Sequence, residues 1–159
     1  NAEALTELKA QYTMIPDETG GAVDDAYLYR FRPDEYLLVV NASNKDKDWQ
    51  HLCGLKRNFP DAGITDVSED FAMIALQGPD SRRILQSILD DGRLPEPSRN
   101  ELSIGRIDGC EVMIARTGYT GEPLGFELFV PRNHAEAVWK CAQKKGLFRS
   151  VWARGTPCG

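Results

Sequence analysis

Short apolar and aromatic runs, separated by turn residues, make up the first forty positions of the chain. They predict strands at residues 10–15, 23–31 and 36–41, because aromatic-rich or alternating runs of this length suit a pleated sheet. Glycine and proline turns at 16–21 and 32–35 join them, which is typical of an antiparallel meander. The third run is apolar throughout, so we expect its strand to be buried on both faces.

After this meander, the apolar residues recur at the spacing of an amphipathic helix. Ser43 or Asn44 can cap a helix that runs to about residue 57. Strands are then predicted at 64–67 and 71–77, and a second helix is predicted from about Ser81 to a stop at Gly92. The apolar stripe of that second helix consists of Ile84, Leu85, Ile88 and Leu89.

Asp108-Gly109 marks a hairpin in the second half of the chain, because this dipeptide suits a tight turn between strands. The flanking residues 102–107 and 110–115 are predicted to be its strands. The remaining predicted elements are an irregular loop at 118–125, a strand at 126–130 and a helix from Asn133 to Gly146.

Strands are grouped before each predicted helix and do not alternate singly with helices. This order predicts an α+β fold with mostly antiparallel sheets and helices packed on them. The first and last groups share their element order, which suggests duplicated ferredoxin-like strand/helix units.

Composition and charge narrow the class of protein. The chain has 159 residues, of which 42% are hydrophobic, so we expect a single globular domain. Its net charge of −5 argues against the basic face of a duplex nucleic-acid binder. Its apolar runs are too short to cross a membrane. The cysteines form no Cys-x-x-Cys pair, so we expect free thiols and no zinc site at Cys53, Cys110, Cys141 and Cys158.

The pair Asp24-Asp25 opens the aromatic second strand. Neighbouring side chains on a strand point to opposite faces, so one carboxylate should face inward and the other solvent. An inward carboxylate beside tyrosines needs a partner, because burial of an unpaired charge is costly. The alternative is structural: both carboxylates cap the preceding turn, or the inward one accepts hydrogen bonds from backbone amides.

A second constellation follows the hairpin. Gly118 and Gly121 flank Tyr119 and allow the backbone to approach another surface closely. Downstream, Glu127 stands among apolar residues, where a buried carboxylate could grip the amino-amidine edge of a pterin. Side chains alternate between the two faces of a strand, so Glu127 could equally be the outward residue of a half-exposed strand.

Several segments, taken together and in order, resemble the aminomethyltransferase family, the folate-dependent T protein of the glycine cleavage system. The resemblance covers nearly the whole chain from about residue 12. The segments are Tyr12-Thr13, Gly20-Gly21-Ala22-Val23-Asp24-Asp25, Leu38-Val39-Val40-Asn41-Ala42-Ser43-Asn44, Lys47-Asp48, Ala75-Leu76-Gln77-Gly78-Pro79, Thr117-Gly118-Tyr119-Thr120-Gly121-Glu122 and Gly125-Phe126-Glu127-Leu128.

This resemblance implies a tetrahydrofolate site. The family's catalytic carboxylate, which contacts the folate and positions the reacting nitrogens, corresponds to Asp25. The glutamate that grips the pterin corresponds to Glu127 and not to Glu122. The other implied folate-binding residues are Tyr12, Asn41 and Tyr119.

The implied reaction moves a one-carbon unit from the aminomethyl-lipoyl arm of a carrier, the H protein, to tetrahydrofolate, and ammonia is released. The same domain type occurs in folate-dependent demethylases and in sarcosine and dimethylglycine dehydrogenases, where the donor differs. A non-catalytic folate-binding protein is a second alternative, although the Lys-Gly-Cys-Tyr-type motif of such relatives is replaced here by Arg116-Thr117-Gly118-Tyr119. We expect no metal site. The acidic net charge and the free cysteines are typical of the cytoplasm, and a protein of the mitochondrial matrix of a eukaryote would have the same composition.

The resemblance also bears on domain organisation. Residues 1–2 look like a tag remnant, and 3–159 look like a single folate-binding domain truncated at both ends relative to the family. A family arginine that follows this region is absent. We therefore expect this chain to be inactive alone in the full reaction.

Overall fold

The computed structural model describes residues 2–147, and within them the chain forms two antiparallel sheets and three α-helices. The smaller sheet has the order β1-β2-β3. Its strands are β1 (Lys9–Pro16), β2 (Ala22–Arg32) and β3 (Glu35–Val40).

The larger sheet has the strand order β4-β8-β7-β6-β5. Its strands are β4 (Phe71–Gln77), β5 (Asp91–Gly92), β6 (Leu102–Ile107), β7 (Cys110–Ala115) and β8 (Gly125–Pro131). The helices are α1 (Lys45–Lys56), α2 (Ser81–Ile88) and α3 (Ala135–Lys144), with short 3-10 turns at Ala2–Ala4, Ala42–Asn44 and Arg132–His134.

Strand β8 is the centre of a three-layer arrangement. Its side chains alternate between two faces, and both faces are covered. Phe126 and Leu128 share one core cluster with the apolar faces of α2 and α3. Phe129 points the other way and packs against the three-stranded sheet, where its ring lies 5.1 Å from that of Tyr29. The five-stranded sheet is therefore covered by helices on one side and by the smaller sheet on the other.

Backbone hydrogen bonds join the two sheets near β1. The amide of Ala10 donates to the carbonyl of Asn100 at 2.8 Å, and the amide of Leu102 donates to the carbonyl of Leu8 at 3.0 Å. These bonds fix the start of β1 against the start of β6. They thereby fix how β2 lies over β8.

The predicted α+β class with mostly antiparallel sheets is confirmed. The hairpin is confirmed at its predicted bounds, and both turn residues, Asp108 and Gly109, have the positive φ of a type I′ turn. The duplicated ferredoxin-like units stay a prediction. No helix within residues 2–147 combines the length and the apolar character that crossing a membrane requires.

Four local predictions are wrong. Residues 64–67 form no strand, because the described chain offers this exposed stretch no pairing partner. Strand β3 is an edge strand, so none of its residues is fully buried. Helix α2 ends at Ile88, and Gly92 belongs to β5. Asn44 precedes α1 but makes no capping bond, because its side chain is used elsewhere.

Phe129 lies between the two sheets, so we expect its truncation to destabilise the fold strongly. We expect Phe129→Ala to lower the free energy of unfolding by about 3–5 kcal/mol, since it leaves a cavity between the sheets. Met73 pairs with Phe129 across the strands but is half-exposed, so Met73→Ala should cost less than about 1 kcal/mol. Urea denaturation of both variants measures the difference, and equal losses would contradict the layer arrangement.

Candidate functional site

One face of β2 carries a row of functional side chains. Asp25, Tyr27 and Tyr29 occupy alternate positions, so they share the face that is turned toward the five-stranded sheet. Tyr12 lies opposite Tyr27 in β1, on the same face. The site is therefore assembled between the two sheets.

Glu127 lies at the buried end of this row. Its side chain is held on β8 between the sheets and only 5% of the residue is exposed, so the half-exposed alternative is wrong. The hydroxyl of Tyr29 donates to Oε2 at 3.0 Å, and the hydroxyl of Thr117 donates to the same oxygen. Within residues 2–147, Oε1 accepts no hydrogen bond. One carboxylate oxygen is therefore fixed and the other is available to a ligand.

Tyr29 is held as a neutral donor by the same surroundings. Burial, and then the negative charge of Glu127, raise the pKa of the Tyr29 phenol far above its usual range. The phenol therefore keeps its proton for the carboxylate at every physiological pH.

Asp25 lies at the open end of the row. The hydroxyl of Tyr12 donates to its Oδ2 at 2.9 Å, and Nδ2 of Asn41 donates to its Oδ1 at 2.9 Å. The bond to Asp25 raises the pKa of the Tyr12 phenol. Both carboxylate oxygens are thus oriented by neutral donors, one from β1 and one from the residue that follows β3.

Tyr119 closes the row from the loop between β7 and β8. Gly118 and Gly121, both with positive φ, let this loop fold back so that the tyrosine ring lies 6.4 Å from that of Tyr12 and 5.4 Å from that of Tyr27. Partial burial raises the pKa of Tyr119 to about 12, and the charges of Asp25 and Glu127 add to the shift. The ring therefore lies in the field of both carboxylates.

Asp24 points to the opposite face of β2, but it does not face open solvent as one of the pair was expected to do. Its carboxylate accepts from Nδ2 of Asn44 at 3.0 Å and from Nδ2 of Asn41 at 3.0 Å. These bonds, the Asn44 bond above all, hold the pKa of Asp24 well below its usual range. The turn-capping alternative is also wrong, because Asp17 accepts the amides of that turn.

The structure thus brings all five predicted site residues into one connected group. Tyr12 and Asn41 donate to Asp25, and the ring of Tyr119 packs against that of Tyr12. Tyr27 and Tyr29 link that end to Glu127. Sequence reasoning missed Tyr27, Tyr29, the donor role of Thr117 and the role of Asn44. The two tyrosines could have been found, since they follow Asp25 at a spacing of two in a strand.

A separate groove of about 460 Å³ lies between the β1–β2 turn and α1, lined among others by Asp17, His51 and Asn58. It contains none of the five site residues. The groove is therefore separate from the row of site residues on β2.

Comparisons with known proteins identify the family of this chain. Residues 1–158 match the sequence profile of the GCVT N-terminal domain. The chain belongs to the GCVT N-terminal domain family. The match extends over almost the whole chain.

Two bacterial relatives are named aminomethyltransferase. The chain is 45% identical over 138 residues to an enzyme of Thermus thermophilus, and this alignment covers 87% of the chain and 39% of that protein. It is 39% identical over 156 residues to the enzyme of Thermotoga maritima, and this alignment covers 98% of the chain and 41% of that protein. The GCVT domain described here therefore spans about two-fifths of the length of these relatives.

A solved structure has the same fold. The crystal structure of the glycine cleavage system aminomethyltransferase T from Bartonella henselae matches 87% of this chain and 36% of that one. The TM-score is 0.68 at 28% sequence identity. The resemblance to the glycine cleavage T protein is therefore confirmed at the level of family and fold.

The hydroxyl of Thr117 should stabilise the fold, because it donates a hydrogen bond to the buried carboxylate of Glu127. We expect Thr117→Val to lower the free energy of unfolding by about 1–3 kcal/mol, the cost of leaving such an acceptor short of a donor. Thr117→Ser keeps the hydroxyl and should lose clearly less. Urea denaturation at neutral pH compares them, and an equal loss for both variants would show that the methyl group, not the donor, matters.

Proposed function

We propose that this chain is the tetrahydrofolate-binding part of an aminomethyltransferase of the glycine cleavage system. The reaction transfers a one-carbon unit from the aminomethyl-lipoyl arm of the H protein to tetrahydrofolate, and ammonia is released. Family membership and the names of the relatives support the reaction class. The geometry of Glu127 supports the ligand.

The observation that carries this proposal is the half-satisfied carboxylate of Glu127. Tyr29 and Thr117 hold Oε2, while Oε1 has no donor within the described chain. A buried carboxylate with a free oxygen suits an N–H donor of a planar heterocycle, because charge-assisted hydrogen bonds are strong where water is largely excluded. The amino-amidine edge of a pterin offers such donors.

The rest of the row fits the remainder of the ligand. The exposed rings of Tyr12 and Tyr119 offer apolar surface for an aromatic ligand between the two carboxylates. Asp25 lies beyond them with both oxygens already oriented. Bound tetrahydrofolate would supply the nitrogens that accept the one-carbon unit.

The protein's contribution is positioning and charge. Tyr12 and Asn41 fix the Asp25 carboxylate before ligand binds, so little reorganisation is needed at the reacting end. A fixed negative charge there favours positive charge that develops on a nearby nitrogen. Glu127 holds the other end of the ligand, so the two carboxylates set its orientation together.

A calorimetric titration with folinic acid tests this assignment. We expect one-to-one binding by the unmodified chain. Glu127→Gln should weaken it by roughly 10- to 150-fold, the range that corresponds to one charge-assisted hydrogen bond. Asp25→Asn should also weaken it. Glu122→Gln is the matched control, because it removes a carboxylate from the adjacent loop and should leave the affinity unchanged.

Two results would contradict the proposal. Absence of saturable binding by the unmodified chain would show that these residues do not form a folate site by themselves. Binding that neither Glu127→Gln nor Asp25→Asn weakens would place the ligand elsewhere on the molecule.

A further inference from the structure

Helix α1 buries a carboxylate and nothing else. Among its twelve residues, all within the described part of the chain, Asp48 alone is buried, and its exposure is 0%. Neither of its oxygens accepts a hydrogen bond from any residue of 2–147. The ammonium group of Lys47 lies 3.8 Å from Oδ1, too far for a hydrogen bond, and it donates to the carbonyl of Val23 at 2.7 Å instead.

An ionised carboxylate in this position would be poorly stabilised, because burial without donors disfavours charge. Its neighbour is Asp24, whose negative charge acts on it. Two neighbouring carboxyl groups can share a hydrogen bond only if one of them carries a proton. Asp24 already accepts three other bonds, from Asn41, Asn44 and the amide of Asp25, so Asp24 is the ionised partner.

The charged groups that face Asp48 are Asp24 on β2 and, on α1 itself, Lys47 and His51. Lys47 and His51 favour the ionised form. Burial, which is the largest effect, and the nearby Asp24 carboxylate favour the protonated form. Together they raise the pKa of the Asp48 carboxyl above its usual range.

We propose that Asp48 retains its proton, donates it to Asp24, and thereby positions Asn41 and the Asp25 carboxylate. The connection runs from Asp24 Oδ1 to Asn41 Nδ2 at 3.0 Å, and from that nitrogen to Asp25 Oδ1 at 2.9 Å. Asp48 is thus a positioning residue, separated from Asp25 by two side chains, Asp24 and Asn41. The importance of Asp25 rests on the proposed function, whereas the shared proton does not.

The sign of the pH dependence follows from the direction of the pKa shift. A carboxyl whose pKa is raised on folding contributes stability that is present below its unfolded pKa and is lost as pH rises through the folded pKa. Ionisation of Asp48 would place two negative carboxylates side by side and release Asp24. Asp48→Asn should remove this dependence, since its amide donates to Asp24 at every pH.

Direct titration of the carboxyl carbons by ¹³C NMR in the intact chain tests the shared proton without any ligand. We expect the Asp48 carbon to titrate above the ordinary aspartate range and the Asp24 carbon to titrate below it. An Asp48 that titrates in the ordinary range would overturn the proposal, whatever folinic acid does.

Variants separate positioning from simple packing. Asp48→Asn keeps a donor and should leave the Asn41 side-chain amide signals unchanged, while Asp48→Leu removes the donor and should shift them.

Urea denaturation adds a second readout. The stability of Asp48→Asn relative to the unmodified chain should increase from pH 4 to pH 7, whereas Asp46→Asn, an exposed control on the same helix, should show no such trend. A flat difference for Asp48→Asn would count against the proposal even if Asp48→Leu does not fold.

Folinic acid binding measures the consequence for the site. Asp48→Asn should bind like the unmodified chain, and Asp48→Leu should bind roughly five- to tenfold more weakly, because one orienting hydrogen bond is lost. Equal weakening by both variants would show that Asp48 acts through its charge and not through its proton. If the unmodified chain does not bind, the folate assignment fails, while the NMR titration still decides on the shared proton.

Discussion

The site depends on one constraint: strand β8 must be buried on both faces. Because its side chains alternate, the residues that pack on α2 and α3 leave Glu127 and Phe129 directed at the smaller sheet. A carboxylate in that position needs donors, and the smaller sheet and the end of β7 bring Tyr29 and Thr117 to it. Packing between the layers and the chemistry of the site therefore rest on the same strand.

Strand β2 links the position of Glu127 to that of Asp25. Its register over β8 places Tyr29 at Glu127, and two further alternate positions bring the chain to Asp25. A shift of one residue would exchange this face for the one that carries Asp24. The same alternation places Asp24 on the opposite face of β2, where Asn41 and Asn44 donate hydrogen bonds to its carboxylate. One strand thus presents a functional face and a supporting face.

Local signals predicted much of this fold, and long-range packing decided the rest. The Asp108-Gly109 turn and the apolar stripe of α2 act within a few residues, and both were predictable. The strand predicted at 64–67 was wrong, because alternation alone does not supply a pairing partner. The surroundings of Glu127 could not be settled locally, since an outward and a buried carboxylate produce the same alternating pattern.

The five site residues were named through a family resemblance, and the structure brings them together between the two sheets. Asp48 shows the limit of pattern analysis. Helical spacing places it one turn before Leu52, on the side that faces the protein, but a carboxylate there looks like a solvated residue. Only its zero exposure and its lack of donors mark it as unusual.

The most direct test of a folate site between the two sheets is a map of NMR chemical-shift changes when folinic acid is added to the isotopically labelled chain. The changes should concentrate on Thr117, Tyr119 and Glu127, and on Asp25 at the other end of the tyrosine row. Changes confined to the separate groove beside α1, around His51 and Asn58, with the tyrosine row unaffected, would contradict it.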